Sequence, residues 1–331
     1  MNLSRQELLE RYRAQVEAGL RMTLDGDGTL ARIGRYHIGL EDEKGNPSQA
    51  FGKFIRPALV LFTAEEMGGN PDDALSAAVG LELVHSFSLI HDDIQDGDRT
   101  RRGRPAVWTI WGTSEAINAG DYLHSVALST AAGSGLESIQ ELTRATTAMI
   151  EGQSLDLSFE SRFVGEDDYL AMVDHKTGAL FACAFALGGI GARVSSDVIA
   201  RLRELGRAIG RAFQIQDDLL GVWGDGDALG KPIGSDIRQR KKSFPIALAY
   251  ARAQGADREL LASVYAAESV AESEVAVVVD LMASLHVRDQ VEKGVSRHSR
   301  EALDLVQELP FSAEGKGELM SLIERLARRD R

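Results

Sequence analysis

From Pro71 to Asp96 the chain reads PDDALSAAVGLELVHSFSLIHDDIQD, with apolar residues at Leu75, Ala78, Val79, Leu83, Phe87 and Ile90. That three-or-four spacing marks one buried helix face. Comparable patterns run through 115–132, 138–159, 168–187, 198–222, 242–252 and 300–328. Proline is confined to seven positions and falls where helices begin, at Pro57 before ALVLFTAEEM and at Pro71, while Gly68 and Gly69 close the first of these helices. Val275 to Val279 is the best candidate strand, but its flanks favour a helix, and no alternating strand with a hairpin signal stands out. Neither a linker nor a fixed-period repeat divides the sequence, and Gly224 to Asp236 reads as a loop. The expectation is one all-α domain over residues 1–331, a helical bundle around a central apolar cavity.

Composition narrows the class. With 331 residues and 44% hydrophobic content the chain buries a full core. Fifty acidic against 37 basic residues give a net charge of −13, which argues against nucleic-acid binding and requires any phosphate ligand to meet local cations or bound metal. The single Cys183 sits in an apolar stretch, so no intramolecular disulfide forms and a reducing cytoplasm fits. The N-terminus is charged and helix-like, and the most apolar run, Gly178 to Ala192, is too short and glycine-rich to span a bilayer. The expected protein is soluble and cytoplasmic, with no transmembrane segment.

Two aspartate clusters, DDIQD at Asp92 to Asp96 and QDDLLG at Gln216 to Gly221, each follow a long apolar helical run. Carboxylates carried toward an interior need cationic partners. Asp92 and Asp96 are four apart, so a helix puts them on one face about 6 Å apart along its axis, a spacing at which two carboxylates share hard cations such as Mg²⁺. Asp93 points elsewhere. Solvated helix ends carry such strings too, and the apolar flank LELVHSFSLIH is what separates this one from them. Arg101, Arg102 and Arg104 follow closely, and Arg grips phosphate oxygens in a forked geometry. Lys53, Arg56, Lys176, Lys231 and Lys241 complete an inventory of cations suited to two diphosphates and several Mg²⁺.

These strings carry a family resemblance. FGKFIRPAL is similar to a GGKRxRP segment, LELVHSFSLIHDDIQD to a first aspartate-rich motif and RTRRGRP to the arginine segment after it; HKTG resembles a lysine-threonine step, FQIQDDLLGVWGD a second aspartate-rich motif, and GKPIGSDIRQRKKSFP a closing lysine loop. In order and over residues 51–245, they resemble the trans-isoprenyl diphosphate synthases of the polyprenyl synthetase family. The resemblance implies an isoprenoid synthase-like bundle, a homodimer and about three Mg²⁺ per site. It assigns Lys53, Arg56, His85 and Arg102 to the diphosphate of isopentenyl diphosphate, and Arg101, Lys176 and Lys231 to the allylic diphosphate. Asp92, Asp96 and Asp217 match metal ligands, Thr177 and Gln214 match polar groups near the reacting carbons, and Lys241 matches the lysine of the closing loop. Two positions depart from the pattern. Phe54 stands where a basic residue is usual, and Gly221 where the second motif usually ends in Asp, with Asp225 a candidate substitute.

The implied reaction is head-to-tail condensation of isopentenyl diphosphate with dimethylallyl, geranyl or farnesyl diphosphate. Phe87 and Val84 lie five and eight residues before Asp92, one and two turns below the metal, with the small Ser88 beside Phe87. That arrangement resembles short-chain synthases making geranylgeranyl diphosphate, with farnesyl diphosphate as the alternative. A terpene cyclase would not need the second diphosphate site. A non-catalytic subunit of a heteromeric synthase is disfavoured by the retained DDIQD.

Overall fold

The computed structural model describes residues 7–224 and 233–328. The chain is all-α apart from one small hairpin and one isolated bridge, Glu41 with Pro47, among the described residues. Its first helices are α1 (Glu7–Thr23), α2 (Thr29–Ile38), α3 (Ile55–Glu66) and α4 (Pro71–Gln95). Strands β1 (Thr100–Arg101) and β2 (Arg104–Pro105) follow, then α5 (Val107–Trp111), α6 (Thr113–Ala131), α7 (Leu136–Phe159), α8 (Glu166–Val173), α9 (Ala179–Gly191) and α10 (Ser196–Trp223). Later helices span Ser235–Arg238, Phe244–Arg252, Gly255–Ala266, Glu272–Ser284, Val287–Glu308 and Ala313–Arg328.

Two compact units emerge. The first comprises Met1–Thr146, Leu180–Arg203 and Leu309–Gly315. At its centre α4 packs against α3, α6 and α1. Asn70 caps α4 by accepting from the Asp72 N–H at 3.1 Å, and Pro71 occupies the first turn, where its missing N–H costs nothing. A Cβ on Gly80 would lie 2.9 Å from the Ala127 carbonyl oxygen, so glycine there sets the close α4–α6 approach. Leu59, Val60, Leu61 and Phe62 are fully buried along the middle of α3.

The second unit comprises Thr147–Ala179, Glu204–Glu308 and Lys316–Arg331. Its core gathers Val173, Ile215, Val222, Phe244, Val278, Met282 and Val291. Val275 to Val279 belongs to the helix Glu272–Ser284, as its flanks implied.

Two expectations need correction. The arginine segment forms a hairpin, with Thr100 paired to Pro105 and Arg101 to Arg104 across a two-residue loop. Both loop residues, Arg102 and Gly103, have positive φ (53° and 72°), the backbone twist that joins two strands tightly. Strands of two residues leave no alternation to read, and arginine is an unusual occupant of such a turn. The 300–328 pattern is two helices rather than one, because Pro310 stands between Val287–Glu308 and Ala313–Arg328. Two stretches, Pro71–Gln95 and Glu166–Gly191, are long and apolar enough to cross a membrane by length and composition, but 67% and 72% of their most apolar windows are buried in the protein. Both are core helices.

Candidate active site

The last turn of α4 holds Asp92, Asp93 and Asp96 and no basic residue. Asp96 keeps helical geometry as the cap, its N–H bonded to the Asp92 carbonyl at 2.8 Å, so the i, i+4 relation of the two acids survives to the end of the helix. Helix carbonyls already make this end negative. Asp92 is half-buried and Asp96 exposed, whereas Asp93 is fully buried.

Asp93 is more than a bystander. Its Oδ1 accepts from Arg101 Nε at 2.8 Å and Nη2 at 2.5 Å, while its Oδ2 is buried without a hydrogen-bond partner. Burial pushes the Asp93 carboxyl up, against the pull of Arg101. Arg101 is thereby fixed within the hairpin, and its guanidinium also lies 3.9 Å from Asp98.

The hairpin is itself held by α2, an element the helical patterns above do not include. Arg104 donates to the Tyr36 carbonyl and stacks over the Tyr36 ring at 4.3 Å, and the Tyr36 hydroxyl donates to the Pro105 carbonyl at 2.8 Å. Arg102 stands exposed at the tip, and a Cβ on Gly52 would lie 2.7 Å from its Nη2, so the glycine before Lys53 makes room for the guanidinium. Lys53 is exposed, and Phe54 is buried in left-handed geometry (φ 48°, ψ 39°) as the cap of α3, against Phe51. At this position the side chain packs inward.

Arg56 on α3 and His85 on α4 meet, with Nη1 3.1 Å from Nε2. An arginine only donates, so Nε2 accepts and the ring proton sits on Nδ1. His85 Nδ1 lies 3.6 Å from Glu82 Oε1, beyond hydrogen-bond distance. Burial first, then the Arg56 charge, pull the His85 pKa down to about 4 despite Glu82. Burial likewise lowers Arg56 to about 10, with Glu82 opposing. Buried His37 is pushed well down by burial and then by the charges of Arg102, Arg101 and Arg104. Three donor nitrogens, Arg56 Nε, Arg104 Nε and His85 Nδ1, are buried with no hydrogen-bond partner, as is His37 Nε2. Native interiors rarely tolerate that. The cluster is short of acceptor oxygens, which an anion with many oxygens supplies.

Below Asp92, Val84 is fully buried and the Phe87 ring lies 5.7 Å from His91 and 5.0 Å from His124 of α6. Ser88 turns back, donating to the His85 carbonyl at 2.9 Å. Phe87 is therefore wedged between two imidazoles. His124 went unnoticed in the sequence because nothing local ties α6 to α4.

In the second unit, Asp174–Gly178 forms a single π-turn between α8 and α9, a distortion that often accompanies functional sites. A Cβ on Gly152 would overlap the Lys176 backbone nitrogen, and one on Gly210 would sit 2.7 Å from the Gly178 Cα. Two glycines thus clasp the turn, and Arg211 anchors it through paired 2.6 Å bonds to Asp174. Lys176 pairs with Asp156 at 2.5 Å. Thr177 donates to Gln214 Oε1 at 2.8 Å, and Gln214 Nε2 donates to Asp218 Oδ1 at 3.0 Å. Asp218 Oδ2 accepts from the Tyr169 hydroxyl and, at 3.0 Å, from the Phe244 N–H. Burial and then the Asp236 charge raise Asp218 to about 7, against those three donors. Asp218 orients Gln214, and its neighbour Asp217 is left exposed on α10.

Gly221 has a specific cause. A Cβ there would overlap the Asp236 carboxylate, which fills the space an aspartate at 221 would need. Ser235 Oγ donates to the Gly221 carbonyl at 3.1 Å and the Lys241 N–H to the Asp236 carbonyl at 2.8 Å, clipping this segment to the end of α10. Asp225 and Lys231 lie outside the described residues.

The sequence profile of the polyprenyl synthetase family matches residues 46–282. The chain belongs to the polyprenyl synthetase family. It is a prenyltransferase, similar to the (2E,6E)-farnesyl diphosphate synthase of Mycobacterium tuberculosis (39% identical, 89% of this chain and 85% of the relative). The geranylgeranyl diphosphate synthase of the same organism is 38% identical over 81% of this chain and 79% of its own. Among solved structures, the polyprenyl synthetase of Streptomyces coelicolor A3(2) superposes with a TM-score of 0.90 at 34% identity, covering 98% and 99% of the two chains. Among the described residues no three or more His, Cys, Asp or Glu side chains converge into a metal cage. Asp92 and Asp96 at the end of α4 and exposed Asp217 on α10 are hard oxygen donors of the kind a divalent cation takes together with waters and substrate phosphates.

Proposed function

We propose that this prenyltransferase condenses isopentenyl diphosphate with an allylic diphosphate to give a short-chain all-trans prenyl diphosphate, with geranylgeranyl diphosphate (C20) as the product. The observation that carries the reading is the Arg56–His85 cluster, with the unpartnered donors Arg56 Nε, Arg104 Nε and His85 Nδ1 calling for an anion's oxygens. In this reading Lys53, Arg56 and Arg102 hold the isopentenyl diphosphate, and neutral His85 braces Arg56. Arg101, Lys176 and Lys231 receive the allylic diphosphate, with Arg101 oriented by Asp93 and Lys176 by Asp156, and Lys241 is the lysine of the closing loop.

Asp92, Asp96 and Asp217 would hold Mg²⁺, three per site, whose charge supports departure of the allylic diphosphate. Thr177 and Gln214, linked to each other and to Asp218, present fixed dipoles beside the developing allylic cation. The double bond of isopentenyl diphosphate then attacks, and the released diphosphate takes the proton. The apolar faces of α4 exclude the water that would quench the cation. One prenyltransferase domain over the whole chain, a homodimer and a cytoplasmic location belong to the same proposal.

Farnesyl diphosphate is the second reading, favoured by the tight packing of Phe87 against His91 and His124. Incubation with Mg²⁺, isopentenyl diphosphate and, separately, dimethylallyl, geranyl and farnesyl diphosphates tests both. Mass analysis showing elongation of farnesyl diphosphate to C20 supports the first, and a stop at C15 the second. No elongation of any allylic substrate overturns the proposal.

A further inference from the structure

Glu82 is 3% exposed, yet it is a carboxylate, and it stands one turn before His85 on the same face of α4. Its Oε1 lies 3.6 Å from His85 Nδ1, and His85 Nε2 in turn lies 3.1 Å from Arg56 Nη1. Carboxylate, imidazole and guanidinium therefore follow one another as neighbours, with the Arg56 guanidinium also stacked over the Phe181 ring at 4.7 Å. A charge this deeply buried is costly unless cations compensate it. Here the cations are those assigned above to isopentenyl diphosphate.

We propose that Glu82 is a resident counter-ion of the isopentenyl diphosphate subsite, a positioning residue that holds Arg56 and His85 in the ligand-free protein and limits how tightly the diphosphate binds. The proposal rests on the function proposed above. Before substrate arrives, Arg56 donates to Nε2 and leaves the imidazole proton on Nδ1, facing the Glu82 carboxylate at 3.6 Å, so that the carboxylate charge steadies the imidazole and the guanidinium together. Once the diphosphate is bound, the same carboxylate faces a multiply charged anion through a poorly screened interior, where like charges repel strongly. Glu82 is also the leading charge that holds Arg56 up against burial. Arg56, at about 10, remains charged near neutral pH, so removing the carboxylate leaves a cationic subsite with its opposing anion gone.

The consequence runs against that of an ordinary structural residue, whose loss weakens binding. Titration calorimetry of isopentenyl diphosphate alone, with chelator present and no divalent metal, is performed on the wild type, Glu82→Gln and Glu82→Asp. We expect Glu82→Gln to bind about tenfold more tightly or better while melting at a lower temperature without ligand. Glu82→Asp, which keeps the charge, should stay within about threefold of the wild type. Glu82→Met, apolar and of similar length, repeats the test should the amide not fold. Equal or weaker binding in a folded charge-free variant, or equal tightening in Glu82→Asp, overturns the inference. A wild type that fails to bind isopentenyl diphosphate overturns the proposed function itself.

Discussion

His85 makes the protein acid-sensitive in a defined window. An unfolded chain protonates this histidine near 6.5, whereas the folded protein resists until about 4, because burial and the neighbouring Arg56 disfavour the imidazolium. A depressed folded value means the unfolded state takes up the proton first. The stability contribution is therefore complete above about pH 6.5 and is lost progressively as pH falls toward 4. Lowering the imidazole from 6.5 to about 4 corresponds to about 3 kcal/mol, of which about 2.5 kcal/mol is expressed between pH 7.5 and 4.5. Only 17% of the side chain is exposed, so solvent screening removes little of this. His85→Gln keeps an acceptor for Arg56 and removes the titration. Denaturant unfolding of both proteins at pH 7.5 and 4.5, followed by circular dichroism, isolates the term, because the other acids and histidines titrate in both. Wild type should lose about 2.5 kcal/mol more than the variant on acidification. Equal losses would refute the reasoning, as would a histidine resonance absent from His85→Gln that titrates near 6.5.

Replacing Asp92 or Asp96 by Ala should lower turnover by several orders of magnitude without reducing the melting temperature, since each change removes a negative charge from the negative end of α4; retained turnover would remove the metal assignment. Phe87→Ala should shift products to longer chains by opening the wall between His91 and His124, at a cost of about 3 kcal/mol or more in stability, and mass analysis of the products checks it. Gly221→Asp, which restores the usual second motif, should reduce turnover and lower the unfolding free energy by about 1–3 kcal/mol, because its Cβ overlaps the Asp236 carboxylate. Improved activity in that variant would show that Asp236 does not fill the space.

The family and the all-α class were legible in the sequence, because helical periodicity and motif order are local properties. Asp92 and Asp96 stayed four apart on α4, and the strand-like Val275 to Val279 yielded to its helical flanks. What the linear pattern left open was decided by neighbours distant in the chain. Arg102 adopts a left-handed turn in a hairpin pinned by Tyr36 of α2, some 65 residues upstream. Asp93 became the anchor of Arg101 because burial leaves a carboxylate only a cation to face. The space at Gly221 belongs to Asp236, and the turn that presents Lys176 exists because Gly152 and Gly210 let two helices close on it. Periodicity tells each segment which face to bury. Which side chain meets which across that face is fixed only when close packing and the satisfaction of buried polar groups select one arrangement, and at Arg56, His85 and Glu82 that selection sets the charge of the site.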